Sequence, residues 1–507
     1  MLSPANCSTP PAAGAAFPPP PQDSPGWGHR LALIWLLACA VHVSGTWLLP
    51  LLDRDEPRFA EASREMLERH DYVVPYFNHT YRFDKPPLIY WLQSTAFRLL
   101  GESAFTARLP SVLAAAFTAV VLYAFGRRMA NDRTGLWAAV SYTTALQVMI
   151  HSKLALADPT MILCVALGGW AGWELMVAGR LTSGRAVCWR WRVVFAAALA
   201  FGFLAKGPVA WLPVGMLLWA RIRRLPGAPG FTAIGTLFVA GLLPVGLWAI
   251  PALSATHGQY LEVGIGRHVL ARGVVSLEGH GAGHLLSYLA LLPFYFLTVF
   301  ASFFPWSLWL PWWFKRVWRG RRCDAETSYL LAGVVLIFGL FTFYNTRLPH
   351  YTLPAFPFLA LLLAREWTIA GRPVSALRRG AIGMVIFNLG ISLIAFPIAA
   401  RYFPACQLAQ AGASWLNPDT ALAITEFDEP SLVWYFRARL RGFPTKLAPE
   451  QVPDFLRQPG PRACVLDAGE AARLFPALPR GWRTVESAGF NVANGRRVRL
   501  RLIVKPY

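Results

Sequence analysis

The sequence predicts a polytopic α-helical membrane protein with a small C-terminal soluble α/β domain, and three observations predict it. Of 507 residues, 55% are hydrophobic and only 15% charged, with a mean hydropathy of +0.40, far more apolar than a soluble globular chain of this length. Apolar runs recur along residues 31–400, many near the length of about 20 residues with which a helix crosses a hydrocarbon core of about 30 Å. Beyond residue 400 the runs shorten, alternate with period two and are broken by prolines.

The first thirty residues, rich in Pro, Ala and Gly, read as a disordered tail with neither a basic leader nor a cleavage site, so the first apolar run is expected to be an anchor. Spans are expected near 31–51, 104–125, 136–151, 159–178, 193–205, 208–220, 231–251, 284–314, 328–345, 353–364 and 380–400. This count of eleven extends to as many as thirteen, with the 284–314 run and the 83–100 stretch the ones to be decided, and it stays odd. Residues 401–507 then form the soluble domain, with Ala421–Thr425, Cys464–Leu466 and Arg497–Val504 as strand-like runs.

The net charge of +21 could point to nucleic acid, but the arginines fall in short clusters between apolar runs rather than along one face or tail, which excludes that partner. Alternate connections are basic: Arg127 to Arg133, Arg180 to Arg192, Arg221 to Arg224, Lys315 to Arg322 and Arg365 to Arg379. The positive-inside rule makes these cytoplasmic. The connections between them, and the C-terminal domain, then emerge on the opposite, periplasmic side of a bacterial inner membrane.

One of those outer connections is dense in charge. Residues 53–85 hold eight of the 27 acidic residues and six basic ones, directly after a stretch, 31–52, with no Asp, Glu, Lys or Arg. Charges set so close to a bilayer mark a functional region. Residues 55–69 read as an amphipathic helix on the membrane, with Phe59, Ala62 and Met66 on one face. Asp55 stands where an N-cap belongs and equally suits a general base for an acceptor hydroxyl or amine. Lys85, before two prolines, is either a snorkelling lysine or a fixed cation. Arg58, Lys206 and an arginine of the 267–272 stretch gather on the same side, and several cations there suit a phosphate-bearing ligand. Asp158 precedes Pro159 and reads as a helix cap or a site residue. The Gly- and His-rich loop 278–284 suits a flexible lid better than a metal cage, and Arg347 to Pro354 reads as a kinked turn or a ligand contact. The seven cysteines have no metal spacing, and Cys406 and Cys464 are candidates to pair on an oxidising side.

The motifs DEPRFAEASREML (53 region), FDKPPLIYWLQ, ARLPS, GRR and LADP, followed by LAKGP, RHVLAR, FFPW and RLPHYTLP, resemble in order those of the family 39 glycosyltransferases, which include the bacterial aminoarabinose transferases and the protein O-mannosyltransferases. The resemblance spans nearly the whole membrane part. It implies a GT-C fold with juxtamembrane helices in the first external loop (53–100), and transfer of a sugar, with inversion, from a polyprenyl-phosphate donor to a lipid A-like or other lipid or protein acceptor. By motif, Asp55 would activate the acceptor, Arg58 and Lys85 would engage the donor phosphate, and Lys206 and Arg272 would complete the basic pocket, with Arg267 competing for the last role. Asp84, Asp158, Arg347 and Tyr351 are further candidates. Two positions depart from the pattern. Asp84 stands where the aminoarabinose enzymes usually carry Glu, which shortens the reach to any metal and leaves a divalent ion there open. Arg347 stands where related sequences often carry Lys, which is not an equivalent donor. A transporter or flippase is the reading from a different class, against which stand the lack of an internal repeat and the concentration of charge on one side.

Overall fold

In the computed structural model, residues 26–180, 185–271, 285–319 and 324–506 are described. The first apolar run forms α1 (Trp27–Val43), shorter than expected and starting inside the stretch read as a tail. The charged connection follows, with α2 (Asp55–Arg69), a two-residue-per-strand hairpin β1 (Tyr76–Phe77) and β2 (Thr80–Tyr81), and α3 (Leu88–Leu100).

Long helices α4 (Ala104–Met129), α5 (Asp132–Thr143), α6 (Leu146–Ser152), α7 (Asp158–Ala178), α8 (Arg185–Lys206), α9 (Leu212–Ile222) and α10 (Phe231–Ala255) come next. The span expected over 136–151 is thus broken in two. A capping box between Ser103 and Thr106 starts α4, satisfying backbone groups that hydrocarbon would leave orphaned. At its other end α4 lies against α5 so closely that a Cβ on Gly126 would stand 2.8 Å from the Gly135 Cα. A π-helical segment, Tyr260–Ala271, leads away from α10. After it come α11 (Leu285–Ala290), α12 (Phe294–Ser302), α13 (Leu310–Arg319), α14 (Ala325–Thr342), α15 (Phe356–Ile369), α16 (Val374–Gly390) and α17 (Phe396–Ala400).

Among the described residues, six helices are long and apolar enough to cross a membrane, and a seventh crossing arises if Leu286–Ser302 and Trp306–Val317, bent by 114°, form one span. Trp27–Val43 and Pro208–Ile222 are shorter apolar helices. The chain is a multi-pass membrane protein. Several basic connections meet one another: Arg133 donates to the Arg372 carbonyl (2.9 Å), Arg180 to that of Pro226 (2.9 Å), and Arg316 pairs with Glu366 (3.0 Å).

Beyond the last span lie α18 (Pro404–Ala411), β3 (Ala421–Ile424), α19 (Pro430–Arg437), β4 (Thr445–Lys446), α20 (Val452–Arg457), β5 (Arg462–Asp467), α21 (Ala468–Leu474), β6 (Arg483–Asn491) and β7 (Arg496–Lys505). They build a sheet of order β4-β3-β5-β7-β6, parallel through β5 and antiparallel at β7 and β6. The three alternating runs picked out from sequence fall on β3, β5 and β7. Cys406 and Cys464 are buried and unpaired, which corrects the pairing considered for them, since they sit in separate apolar clusters.

This sheet domain is docked on α2. Arg437 pairs with Glu61 (2.6 Å) and Glu68 (2.8 Å), while Arg64 bonds Glu61 (2.5 Å) and the Trp434 carbonyl (3.1 Å) and stacks 3.9 Å over the Trp434 ring. Phe59, Ala62 and Met66 are buried as expected, but so are Glu61, Ser63, Arg64 and Glu65. A helix read from sequence as lying on the membrane with a wet polar face is therefore covered on that face too, its charges matched across the interface rather than solvated.

Candidate functional site

A cavity of about 1010 Å³ opens where the charged connection, the ends of α7, α8, α10 and α14, and the C-terminal sheet domain converge. Its lining includes the polar side chains of Asp55, Arg58, Asp84, Lys85, Asp158, Lys206, His350 and Tyr351 together with Phe203, Val245, Ala249, Leu253 and Leu340 of the spans. Such a hole, lined by both charged and apolar side chains, fits an amphiphile with an anionic head.

The position of Asp55 follows from how α2 starts. The N-cap is Arg54, without a side-chain cap bond, and Asp55 is the first helical residue, so the expected capping role is not what the carboxylate does. It is exposed to the cavity, and among the described residues no hydrogen bond or ion pair occupies it. Its neighbour Glu56 turns the other way and is fully engaged. Its oxygens take Arg108 Nε (2.8 Å) and Nη2 (2.7 Å), the Leu52 amide (2.9 Å) and the Ala155 amide (2.6 Å). Arg108 in turn donates to the carbonyls of Thr46, Leu49 and Pro50. This buried knot holds the chain leading into α2, and hence Asp55, in one place.

Asp53 faces the sheet domain, accepting from the Ser431 amide (2.8 Å) and hydroxyl (2.5 Å) at the start of α19. Burial raises its carboxyl to about 6, although the Ser431 bonds pull it back. A carboxyl raised in the folded state favours folding most below its ordinary range and loses that contribution as pH rises through about 6. Thermal unfolding of Asp53→Asn from pH 5 to 8 is expected to lack a fall that the wild type shows over that window. The difference is about 1–2 kcal/mol once solvent screening of this partly exposed group is allowed for. Parallel pH profiles for the two proteins would assign the slope to another group.

Lys85 is placed by the two prolines that follow it. Its carbonyl accepts from Tyr260 Oη (2.6 Å), and its ammonium donates to the Asp84 carbonyl (3.1 Å). The π-helical segment presses on this turn: the Phe83 and Tyr260 rings lie 5.2 Å apart, and a Cβ on Gly264 would stand 3.0 Å from the Phe83 carbonyl. Asp84 pairs with Arg82 (2.9 Å), itself held by Tyr90 Oη (3.0 Å). Among the described residues no group of three His, Cys, Asp or Glu side chains could hold a metal ion, so no step is assigned to one at Asp84.

Asp158 is likewise the first residue of its helix, with Ala157 at the N-cap, and is ion-paired with Lys206 at the end of α8. His350 stands beside this pair, its ring 5.0 Å from that of His151 and 5.1 Å from Tyr351. Burial, with Lys206, His151 and Lys85 nearby, pushes His350 down to about 3 against the pull of Asp158, so it is a neutral donor or acceptor at working pH.

Thus Asp55, Arg58, Asp84, Lys85, Asp158, Lys206 and Tyr351, far apart in sequence, line one cavity. Arg347 does not line it. Its guanidinium donates to the carbonyls of Thr342 and Tyr344 (both 3.1 Å), satisfying groups the end of α14 leaves unpaired, and lies 5.0 Å from the Tyr288 ring centroid. Arg272 lies outside the described residues, and Arg267 is described only as backbone in the π-helical segment. Sequence reasoning missed His350, Tyr260 and the Glu56–Arg108 knot. His350 could have been found as the only imidazole among the prolines of RLPHYTLP, whereas nothing local distinguishes Tyr260.

A family model described as dolichyl-phosphate-mannose-protein mannosyltransferase matches residues 84–248. The undecaprenyl phosphate-alpha-4-amino-4-deoxy-L-arabinose arabinosyl transferase of Pectobacterium atrosepticum is 30% identical over 386 residues, 72% of this chain and 64% of that protein. A counterpart of the same name in Pseudomonas fluorescens is 31% identical over 368 residues, 72% of this chain and 62% of that protein. The chain thus spans less than two thirds of the length of these curated relatives. Among solved structures, ArnT from Cupriavidus metallidurans bound to undecaprenyl phosphate superposes with a TM-score of 0.70 at 19% identity, covering 94% of this chain and 98% of that one. At that identity the match establishes the shared fold.

Proposed function

Because this chain is a relative of the undecaprenyl-phosphate aminoarabinose transferases and carries the fold of one of them, we propose that it is a membrane glycosyltransferase moving a sugar from a polyprenyl-phosphate donor to a lipid acceptor. The observation that carries the proposal is that the carboxylate of Asp55, with no hydrogen bond or ion pair among the described residues, lines one cavity with Arg58, Lys85 and Lys206 and with apolar side chains of the spans. The donor phosphate sits among the three cations and its prenyl chain runs along that wall into the bilayer. Asp55 takes the proton of the acceptor hydroxyl as its oxygen attacks the anomeric carbon. The bond from that carbon to the phosphate oxygen breaks, and the polyprenyl phosphate leaves with the electron pair, its growing charge met by the cations. Attack opposite the leaving group inverts the anomeric centre. Asp158 positions Lys206 through their ion pair, while Asp84 holds Arg82 and Tyr351 packs on His350 at the rim.

The cavity faces the periplasm in this proposal. The positive-inside rule supports it, since basic connections that touch one another belong on the cytoplasmic side. Residues 31–400 are the catalytic membrane unit and 401–507 the periplasmic domain. The description of the matched family model favours a second reading, with a serine or threonine of a polypeptide as acceptor.

The test is transfer by purified protein in detergent from radiolabelled undecaprenyl-phosphate sugars, 4-amino-4-deoxyarabinose and mannose among them, to lipid A or to a Ser/Thr-rich peptide. Labelled lipid supports the leading reading and labelled peptide the second. No transfer from any carrier-linked sugar to either acceptor overturns both and moves weight to lipid or sugar transport.

A further inference from the structure

Besides Asp55 and Arg58, the polar side chains that line the cavity with no hydrogen bond or ion pair among the described residues are His350 and Tyr351. The transfer chemistry leaves His350 without a task. Its backbone is fixed by a 3-10 turn, Pro349–Ala355, in which the Tyr351 amide donates to the Leu348 carbonyl (3.0 Å) and Thr352 Oγ1 to that of Pro349 (3.2 Å). Its neighbour His151 is engaged, with Nδ1 3.2 Å from the Gln147 carbonyl, and does not line the cavity. Elsewhere in the chain, His42 Nε2 is sealed from solvent without a partner, but neither ring nitrogen of His350 is sealed. Both are therefore accessible from the cavity.

The imidazole stays neutral, because burial with Lys206, His151 and Lys85 nearby outweighs the pull of Asp158. One ring nitrogen then donates and the other accepts. A phosphodiester offers only acceptors, and charged donors serve it better, so the donor phosphate belongs to Arg58, Lys85 and Lys206 rather than to His350. A hydroxyl, by contrast, can give its proton to the bare nitrogen. Lys85 and Lys206 both act on His350, which sets the imidazole next to the place of the donor phosphate. In a sugar joined to phosphate through its anomeric carbon, the ring hydroxyl nearest the phosphate is the one on the adjacent carbon, carbon 2. Hydrogen bonds to that hydroxyl strengthen as positive charge develops at the anomeric carbon.

We propose that His350 accepts a hydrogen bond from the carbon-2 hydroxyl of the donor sugar and so determines which sugars are transferred. The inference rests on the transferase reading and narrows its donor to sugars with a free hydroxyl next to the anomeric carbon.

Full-length protein in detergent is assayed with undecaprenyl-phosphate mannose, glucose and 4-amino-4-deoxyarabinose, and then with the 2-deoxy counterpart of whichever sugar it transfers. His350→Phe keeps a ring against His151 and Tyr351 but has no polar atom. It should lower kcat/KM for the hydroxyl-bearing donor about tenfold or more, chiefly through kcat, and for the 2-deoxy donor by less than about twofold. Comparing variant with wild type on each donor cancels the donors' own difference in reactivity. His350→Asn, which keeps an acceptor oxygen, should show a smaller loss confined to the same donor, and it serves if His350→Phe fails to fold. Tyr351→Phe should affect both donors by the same factor. Equal losses on both donors in the His350 variants would make the residue structural and overturn the assignment. So would undiminished transfer of the hydroxyl-bearing sugar, or a Tyr351→Phe loss confined to that sugar, which would give the hydroxyl to Tyr351. In each of these cases transfer by the wild type leaves the transferase reading standing. No transfer by the wild type from any of these donors overturns that reading and this inference with it.

Discussion

Asp55→Asn is expected to lower sugar transfer by about 10²–10⁴-fold, the range for losing a positioned general base. The amide has the shape of the carboxylate but cannot take the acceptor proton. The change also removes a negative charge from the first turn of α2, which costs about 0.3–1 kcal/mol and leaves the fold intact. Because among the described residues no side chain leans on Asp55, the loss should appear in the rate and not in donor affinity, which belongs to Arg58, Lys85 and Lys206. Initial rates beside undecaprenyl-phosphate binding separate these effects. Transfer at the wild-type rate would remove Asp55 from the mechanism, and donor binding lost in parallel with rate would make it a binding residue instead.

Arg108→Ala is the largest stability change expected. The residue is 1% exposed, and its side chain makes two bonds to Glu56 and three to carbonyls of the chain entering α2. Removing it strands a buried carboxylate and costs about 3–5 kcal/mol. Arg108→Lys recovers little, because one ammonium cannot make the bidentate contact together with the carbonyl bonds. The double change Arg108→Met with Glu56→Gln should be more stable than Arg108→Ala alone, since no unpaired charge remains. Thermal unfolding of the purified proteins measures this. A single variant as stable as wild type would show that the knot contributes little to holding Asp55. An Arg108→Ala protein that unfolds early but, at low temperature, transfers sugar normally would show that the site does not depend on it.

Legibility differed by residue. Asp55, Arg58, Lys85, Asp158 and Lys206 could be picked out because ionisable groups beside apolar runs are costly there, and each lines the cavity. Arg347 met the same criterion and lies elsewhere, because a buried arginine can equally be spent on the carbonyls at a helix end, and only its contacts tell the two uses apart. The amphipathic pattern of α2 correctly marked Phe59, Ala62 and Met66 as buried. It carried no sign that Arg437, over 360 residues on, would cover Glu61 and Glu68.

By itself the sequence determined the multi-pass helical character, the charged connection between the first and second apolar runs, and the change to a sheet domain after residue 400, but not the spans, since eleven were expected and six helices, or seven with the bent pair, are long and apolar enough among the described residues. Hydropathy, period and proline placement act over a few residues and sum locally, so they survive without knowledge of the rest. The tertiary structure alone decided that Asp53 and Asp55 line the cavity while Glu56 does not, and that Asp53 accepts from Ser431 there. Three carboxylates within four positions point to the sheet domain, the cavity and the protein interior respectively. Their directions depend on the residue at which α2 begins, and that is set by Arg108 and Ser431, which chain folding brings from 52 and 378 residues away.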